Sequence, residues 1–392
     1  MHILIVADGR SPTTKSWIKT LKLTGQRVSL ISTYPCAPID GVELAAVLPV
    51  AFSRFSGSQV KTEKSISPLK GLINRFRPIL TAMRYSLGPW TVPYFRKKLP
   101  AIITKTQPDL VHAMRIPYEG MLATATPKGI PLLVSTWGND LTLHAAANPL
   151  LGRLTRQALS RADGLFSDTQ RDVELAKRWG FDPMKPSLVV VGNGGLDLDL
   201  MLEASKIIER VTPVQIINPR GFRPSSVRID TFFKAIPLVL KAHPYARFLC
   251  ASMAGQKEAL DWVEKLGIAD NVELAPFLSQ GELWKQFSRS TISVSISQHD
   301  GTPNTLLEAM ALGCLPVCGD IASIREWIEP EVNGALVPPD DFEALASTIN
   351  RLLANPNKYR GWQKKNIDMM KKRADRKALA EIILNFYKSV VK

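Results

Sequence analysis

The stretch SQHDGTPNTLLEAMALGCLPVCGDIASIREWI, residues 297–328, reads as loop, helix, turn, buried strand, loop and second helix. Thr302 stands where a helix N-cap belongs, and Pro303 where the first helical residue loses nothing by lacking an N–H. Leu306, Leu307, Ala309, Met310 and Leu312 carry the apolar spacing of a buried helix. Gly313 falls where a helix end wants a left-handed residue. Leu315, Val317 and Cys318 then make a short apolar run suited to a buried parallel strand.

The chemistry lies at the front of this stretch. Asp300 precedes the helix, and Glu308 sits about two turns inside it. Between them, the amides of Gly301 and of Asn304, Thr305 and Leu306 are donors that a helix start leaves without intrahelical partners. Such an N-terminus carries roughly half a positive charge and attracts phosphate. An anion site flanked by two carboxylates suits a diphosphate joining two polyhydroxylated sugars, with phosphate at the amides and hydroxyls at the acids. For a lone acidic pair the plainer alternative is a capped core helix with a surface Asp and an ion-paired Glu.

The run from Asp300 to Gly313, D-G-T-P-N-T-L-L-E-A-M-A-L-G, closely resembles the acidic-x7-acidic signature of the retaining family 4 glycosyltransferases, which have the GT-B fold. The first acid of that signature is usually Glu; Asp300 is one methylene shorter. D-I-x-x-x-R-E-W-I, Asp320 to Ile328, resembles a branch of bacterial surface-polysaccharide enzymes. The resemblance implies an α/β chain with two Rossmann-like domains facing across a cleft. It places an N-terminal acceptor-side domain at residues 1–195, a nucleotide-sugar domain at 196–375, and a helix at 376–392 returning to the first domain.

Length and composition agree with that plan. The 392 residues suffice for two cores. An apolar content of 45% with mean hydropathy of −0.01 marks a globular chain expected to be soluble. No apolar run approaches the ~20 residues of a membrane span. The opening Met1-His2-Ile3-Leu4-Ile5-Val6-Ala7 lacks a basic n-region, so a first buried strand is expected there, not a signal peptide. Cys36, Cys250, Cys314 and Cys318 have no metal-site spacing, and the last three sit in apolar runs, which reads as core thiols in a reducing cytoplasm.

Net charge is +15 and uneven. Residues 1–200 hold 25 Lys plus Arg against 14 Asp plus Glu. Residues 51–105 alone carry eleven basic residues and one acid, Glu63, interleaved with aromatics and broken by prolines. Helical pieces are expected at 69–87 and 92–104. Such a segment fits an anionic membrane surface or nucleic acid. No nucleic-acid motif accompanies it, so the membrane is the expected partner and nucleic acid is not.

Along the rest of the chain, buried strands are expected near 2–7, 28–32, 108–113, 132–135, 162–167, 187–191, 214–218, 246–251, 271–275 and 291–297. Their carboxyl ends are where an open α/β sheet binds ligands. Gly9 and Arg10 follow the first, where the family carries a glycine-rich loop. Pro108-Asp109-Leu110-Val111-His112-Ala113 resembles P-D-V-V-H-A-H, with Met114 replacing the second His. Trp137-Gly138-Asn139-Asp140 resembles the H-G-x-D loop, with Trp137 at the His position and His144 near enough to compensate. Arg220 matches the Arg of R-x-x-x-x-K-G. Val227 falls on its Lys, leaving Arg223 or Arg228 as the substitute. Asp197-x-Asp199 has the look of a metal-binding D-x-D, but the glycine-dense turn before it argues against a metal.

The resemblance implies these roles. Asp300, Arg220 and Asp140 carry the chemistry. Glu308, Arg223, Arg228, Gly301, Thr302, Pro303, Asn304, Thr305, Leu306, Phe277, Gly9 and Arg10 bind the donor. Trp137, Gly138 and Asn139 lie on the sugar or acceptor side. No metal and no cofactor is expected, the nucleotide-diphosphate sugar being a substrate. The acceptor is expected to be lipid-linked or a polysaccharide, and the location cytoplasmic, peripheral on the inner face of the cell membrane. Two further readings stay open: a sugar-nucleotide 2-epimerase of the same fold, and a non-catalytic nucleotide-sugar binder.

Overall fold

The computed structural model of the protein describes residues 1–55, 86–205, 213–223 and 226–391. The chain forms two compact units, Met1–Gly195 with Leu379–Lys392, and Leu196–Ala378.

The first unit is built on β1 (His2–Ala7), β2 (Arg27–Ser32), β3 (Glu43–Val47), β4 (Leu110–Ala113), β5 (Leu132–Thr136), β6 (Gly164–Ser167) and β7 (Ser187–Val189). They form one sheet in the order β3-β2-β1-β4-β5-β6-β7, and every pairing is parallel. Every residue of β1, β4, β5 and β6 is buried. That is why these strands read as unbroken apolar runs: helices cover both faces of a parallel sheet. Edge strand β3, sequence ELAAV, is half-exposed, and only its ladder to β2 and the Arg27–Glu43 ion pair reveal it.

The second unit repeats the plan with β8 (Gln215–Asn218), β9 (Arg247–Cys250), β10 (Val272–Leu274), β11 (Ile292–Ser295), β12 (Leu315–Gly319) and β13 (Ala335–Val337). Their order is β10-β9-β8-β11-β12-β13, again all parallel. Each sheet reverses winding direction between its first and fourth strands, at β1/β4 and at β8/β11. Such a reversal opens a crevice beyond the strands' carboxyl ends, where ligands bind.

Helix Arg376–Val390 buries Leu379, Ala380, Ile383 and Tyr387 at helical spacing. Tyr387 is anchored in the first unit. Its hydroxyl accepts from Trp17 Nε1 at 3.1 Å and meets His112 Nδ1 at 2.7 Å, while His112 Nε2 meets Ser135 Oγ at 2.8 Å. His112 is thus held at both ring nitrogens. Burial pushes His112 down to about 3. The unfolded chain takes up this proton below pH ~6.5 and the folded chain does not, so stability is full above that value and falls as the pH drops towards 3. The slope from this one group reaches about 1.4 kcal/mol per pH unit. A His112→Asn variant should show a shallower fall in melting temperature between pH 6.5 and 4. Parallel profiles for the two proteins would rule the assignment out.

Of the basic segment, residues 56–85 lie outside the described residues, and with them most of the expected helix at 69–87. The remainder forms a short turn at Gly88–Thr91 and helices Val92–Arg96 and Leu99–Thr106. Trp90 and Tyr94 are 71% and 62% exposed, beside exposed Lys97 and Lys98. No helix among the described residues is long and apolar enough to cross a membrane.

Candidate functional site

The second unit's crevice gathers residues from three strand ends. Arg220 follows β8, Ser297 to Asp300 follow β11, and Gly319 closes β12. Backbones converge tightly here: a Cβ on Gly319 would lie 2.2 Å from the Ser297 carbonyl oxygen, so only glycine fits. Arg220 Nη2 donates to Asp300 Oδ2 at 2.5 Å, and Nη1 reaches Thr305 Oγ1 at 3.4 Å. Ser297 Oγ donates to the same Asp300 oxygen at 3.2 Å, and the Gly301 amide to the other at 3.0 Å. Ser323 Oγ donates to the Asp300 carbonyl at 2.8 Å and holds the loop. Asp300 is thus a fully engaged carboxylate whose first task is to aim Arg220.

Donors remain in excess. Arg220 Nε and Asn218 Nδ2 are buried without acceptors among the described residues. Buried donors are nearly always paired, so two unmet ones at a strand-end crevice point to an anion that completes them. The head of Arg223 lies within electrostatic reach of both Arg220 and Asp300, which adds a second cation.

Helix Asn304–Ala311 begins beside Arg220, but not as its sequence suggested. Pro303 is the N-cap and caps with no side chain. Thr302 Oγ1 is taken by Trp327 Nε1 at 2.9 Å, which pulls it off the helix. Gly301's amide is spent on Asp300, and Leu306's on the Pro303 carbonyl at 3.0 Å. Asn304 and Thr305 therefore hold the open amides of this helix start. Glu308 is 5% exposed, accepts from Gln280 Nε2 at 2.8 Å, and is pushed up to about 8 by burial. The buried indole N–H of Trp284 also faces this carboxyl and favours its charged form. Cys318 nearby is raised to about 12 by burial and is an inert core thiol. Phe277, past β10, is 70% exposed.

Several expected site residues do other work. Arg228 is held by Asp230 through two bonds of 2.9 Å at the start of helix Ile229–Ala242, so Arg223 and not Arg228 is the cation beside Arg220. Asp199 pairs with Lys377 at 2.7 Å. Arg10 lies against Asp8 through Nε and Nη2, both at 3.1 Å, with its guanidinium 3.7 Å from the Tyr34 ring centre. Gly9 gives its amide to Ser32 Oγ at 3.1 Å, and a Cβ there would strike Cys36 Sγ at 2.6 Å. Gly9 is thus a packing glycine. Asp140 is 0% exposed. It receives Arg115 Nη2 at 2.5 Å and the amides of Ile116 and Trp137, both at 3.3 Å. Sealed in this way, it holds the Arg115–Trp137 loops together. Gly138 (φ +35°) has its carbonyl pinned by Arg171 Nη2 at 3.2 Å, and Asn139 is half-buried beside it.

The first unit's crevice opens into a cavity of about 330 Å³, lined by Asp8, Tyr34, Tyr118, Glu119, Trp137 and His144 among others. Glu119 is 4% exposed, accepts from Thr33 Oγ1 at 2.9 Å, and is raised to about 7 by burial. Sequence reasoning passed over Glu119, Tyr118 and Arg115. Their signal was present: charged residues in R-I-P-Y-E-G, inside an otherwise apolar run just past a buried strand. Gln280 and Trp284 had no such signal, since a helix elsewhere in the chain delivers them to Glu308.

Residues 203–369 match the family described as "Glycosyl transferases group 1", and residues 26–194 match the "Glycosyl transferase 4-like domain". An exopolysaccharide phosphotransferase of Streptomyces coelicolor is 32% identical over 159 residues, 40% of this chain and 16% of that protein's length. A GDP-mannose:cellobiosyl-diphosphopolyprenol alpha-mannosyltransferase of Xanthomonas oryzae pv. oryzae is 23% identical over 279 residues, 69% of this chain and 68% of that one. In structure, a sucrose-phosphate synthase from Thermosynechococcus elongatus superposes with a TM-score of 0.75 at 17% identity, covering 100% of this chain and 99% of its own. The two matched regions together take up most of the sequence, each on its own doubly wound sheet: residues 203–369 form a glycosyl transferases group 1 domain and residues 26–194 a glycosyl transferase 4-like domain, in a chain with the GT-B fold.

Proposed function

We propose that the protein transfers a sugar from a nucleotide-diphosphate sugar to a lipid-linked or polysaccharide acceptor, with retention of anomeric configuration. One observation carries this reading. Arg220, aimed by Asp300, presents an unmet buried N–H beside Asn218 and the open amides of Asn304 and Thr305. That is a preorganised seat for a diphosphate whose charge grows as it leaves. Glu308, buried in the helix that begins there, takes the ribose hydroxyls. The bond from the anomeric carbon to the diphosphate oxygen breaks as the acceptor oxygen bonds to that carbon from the same face. The acceptor's proton passes to a phosphate oxygen, and the nucleoside diphosphate departs. The name of the Xanthomonas relative, with a nucleotide sugar and a polyprenol diphosphate, supports the class of both substrates.

The test is a panel of UDP- and GDP-sugars assayed for release of nucleoside diphosphate, in EDTA and with the anomer of any glycoside product determined. Turnover of at least one donor, retained anomeric configuration and insensitivity to EDTA are expected. Inversion would sink the retaining reading. Activity abolished by EDTA and restored by Mn²⁺ would bring Asp197 and Asp199 back as ligands.

The basic segment supports a peripheral position on an anionic inner-leaflet surface. Trp90 and Tyr94 offer rings suited to the headgroup level, and Lys97 and Lys98 the charge. Each basic residue at such a surface contributes about 1 kcal/mol. Changing Trp90, Lys97 and Lys98 to Ser should weaken binding to vesicles containing phosphatidylglycerol several-fold and leave donor turnover unchanged. Wild-type protein that ignores these vesicles at low salt would refute the placement.

A further inference from the structure

Local sequence and tertiary packing disagree about where helix Asn304–Ala311 should begin. Thr302-Pro303 is a strong helix start: Thr accepts well as an N-cap, and Pro loses nothing at the first helical position. The residue before a proline is also held extended, as an N-cap must be. The helix nevertheless begins one residue later. Pro303 takes the N-cap position with φ −69° and ψ 121°, and caps with no side chain. The hydroxyl suited to capping accepts from Trp327 Nε1 at 2.9 Å instead, with both side chains buried.

Trp327 is itself held from several sides within the second unit. The Arg373 guanidinium lies 4.0 Å from its ring centre, and Arg373 Nη1 donates to the Glu326 carbonyl at 3.1 Å. Asn333 Nδ2 donates to the Trp327 carbonyl at 2.9 Å, and Asn333 Oδ1 accepts from the Glu329 amide at 2.8 Å. Buried Asn366 in turn donates to the Asn333 carbonyl at 2.8 Å. Just upstream, Ser323 Oγ holds the Asp300 carbonyl. The segment from Ser323 to Trp327 therefore pins the loop before the helix twice, at Asp300 and at Thr302. The second pin has a chemical consequence. An N-cap hydroxyl accepts from the second or third helical amide. With Thr302 as cap and Pro303 as first helical residue, those amides belong to Asn304 and Thr305, the two that the observed start leaves open.

We infer that Trp327 is a positioning residue: by holding the Thr302 hydroxyl it keeps this helix start uncapped, and so keeps the Asn304 and Thr305 amides for the donor's phosphates. Without the indole N–H, Pro303 turns into the helix and Thr302 caps it. The hydroxyl then competes with phosphate for the same donors. That these amides seat a phosphate rests on the proposed transferase reading; the choice of helix start does not.

The test compares the full chain as wild type, as Trp327→Phe, and as Trp327→Phe with Thr302→Val, which keeps the branched shape of threonine and has no hydroxyl to cap with. Residue-resolved hydrogen exchange reads the helix start, and calorimetric titration with UDP and GDP reads the seat. In Trp327→Phe, exchange at Asn304 or Thr305 should slow about fivefold, the worth of one cap. Nucleotide affinity should fall about tenfold, the worth of one charge-assisted hydrogen bond. Adding Thr302→Val should return both readings to within about threefold of wild type, because the two substitutions act on one bond and do not add. A purely structural role for Trp327 gives the opposite result, a second buried substitution deepening the loss. If melting shows that phenylalanine disrupts the fold, benzothienylalanine at position 327 keeps the indole's shape with sulfur in place of N–H, and the same pattern is expected. The inference falls if exchange at both amides is unchanged, if affinity drops without slowed exchange, or if the double variant is no better than the single one. Exchange that follows the expected pattern in proteins binding neither UDP nor GDP sinks the transferase reading alone. Wild-type nucleotide binding that the variants leave unchanged sinks this inference alone.

Discussion

Replacing Glu308 with Ala should weaken nucleotide binding by ten- to over a hundredfold and nearly abolish transfer. The carboxyl is buried in helix Asn304–Ala311 and 5% exposed. Each hydrogen bond between a ribose hydroxyl and a charged group is worth ~1.5–3 kcal/mol, and every 1.4 kcal/mol is a factor of ten. Removal also strands Gln280 Nε2, which bonds to Glu308, and the Trp284 N–H that faces the same carboxyl. Burial raises this carboxyl to about 8, so the ionised form that binds ribose most strongly grows as the pH rises towards that value. Glu308→Gln keeps the volume and the partner to Gln280, so it should lose less than the alanine variant. Isothermal titration with UDP and GDP, with the melting temperature as a check on folding, measures both. Unchanged affinity and turnover in a folded Ala variant would overturn the ribose assignment.

Arg220→Ala should lower kcat by about a hundred- to a thousandfold, the usual loss when one preorganised donor to a developing charge is removed. The effect is expected to fall on turnover more than on affinity, because the leaving diphosphate gains charge in the transition state and not on binding. Two further features enlarge it. Asp300 loses its cation while 18% exposed, and an uncompensated half-buried carboxylate faces the phosphate seat. Thr305 loses its contact as well. Arg223 remains, within reach of the same charge, and sets a floor on the loss. Arg220→Lys should recover little, since a point charge cannot hold Asp300 and Thr305 together. A kcat within threefold of wild type would show that the diphosphate leaves elsewhere. Asp300→Asn should act in the same direction, by releasing Arg220 from its aim.

Much of this molecule is local information. The two sheets were legible because parallel strands buried on both faces are written as short apolar runs, and His2–Ala7, Leu132–Thr136 and Leu315–Gly319 stand out on that basis alone. The loop and helix from Asp300 to Glu308 were legible in outline, because a helix start is made of neighbours in sequence. Edge strand β3 was not, since ELAAV, paired on one side and half-exposed, leaves no apolar run to read.

What the tertiary structure decided is which partner each charge takes. Sequence spacing offered Arg223 and Arg228 equally as the second cation. Folding pairs Arg228 with Asp230 and leaves Arg223 beside Arg220. The H-G-x-D resemblance cast Asp140 as a chemical group, and folding buries it against Arg115. Thr302 looked like a cap until Trp327, brought in from 25 residues away, took its hydroxyl. In the first unit folding gives Arg10 to Asp8 and Arg115 to Asp140, and leaves Glu119 with a hydrogen bond from Thr33. A charge's type is written in the chain, but its partner depends on distances of a few ångströms between segments far apart in sequence. Coulomb and hydrogen-bond energies change steeply over that range, so packing alone settles them.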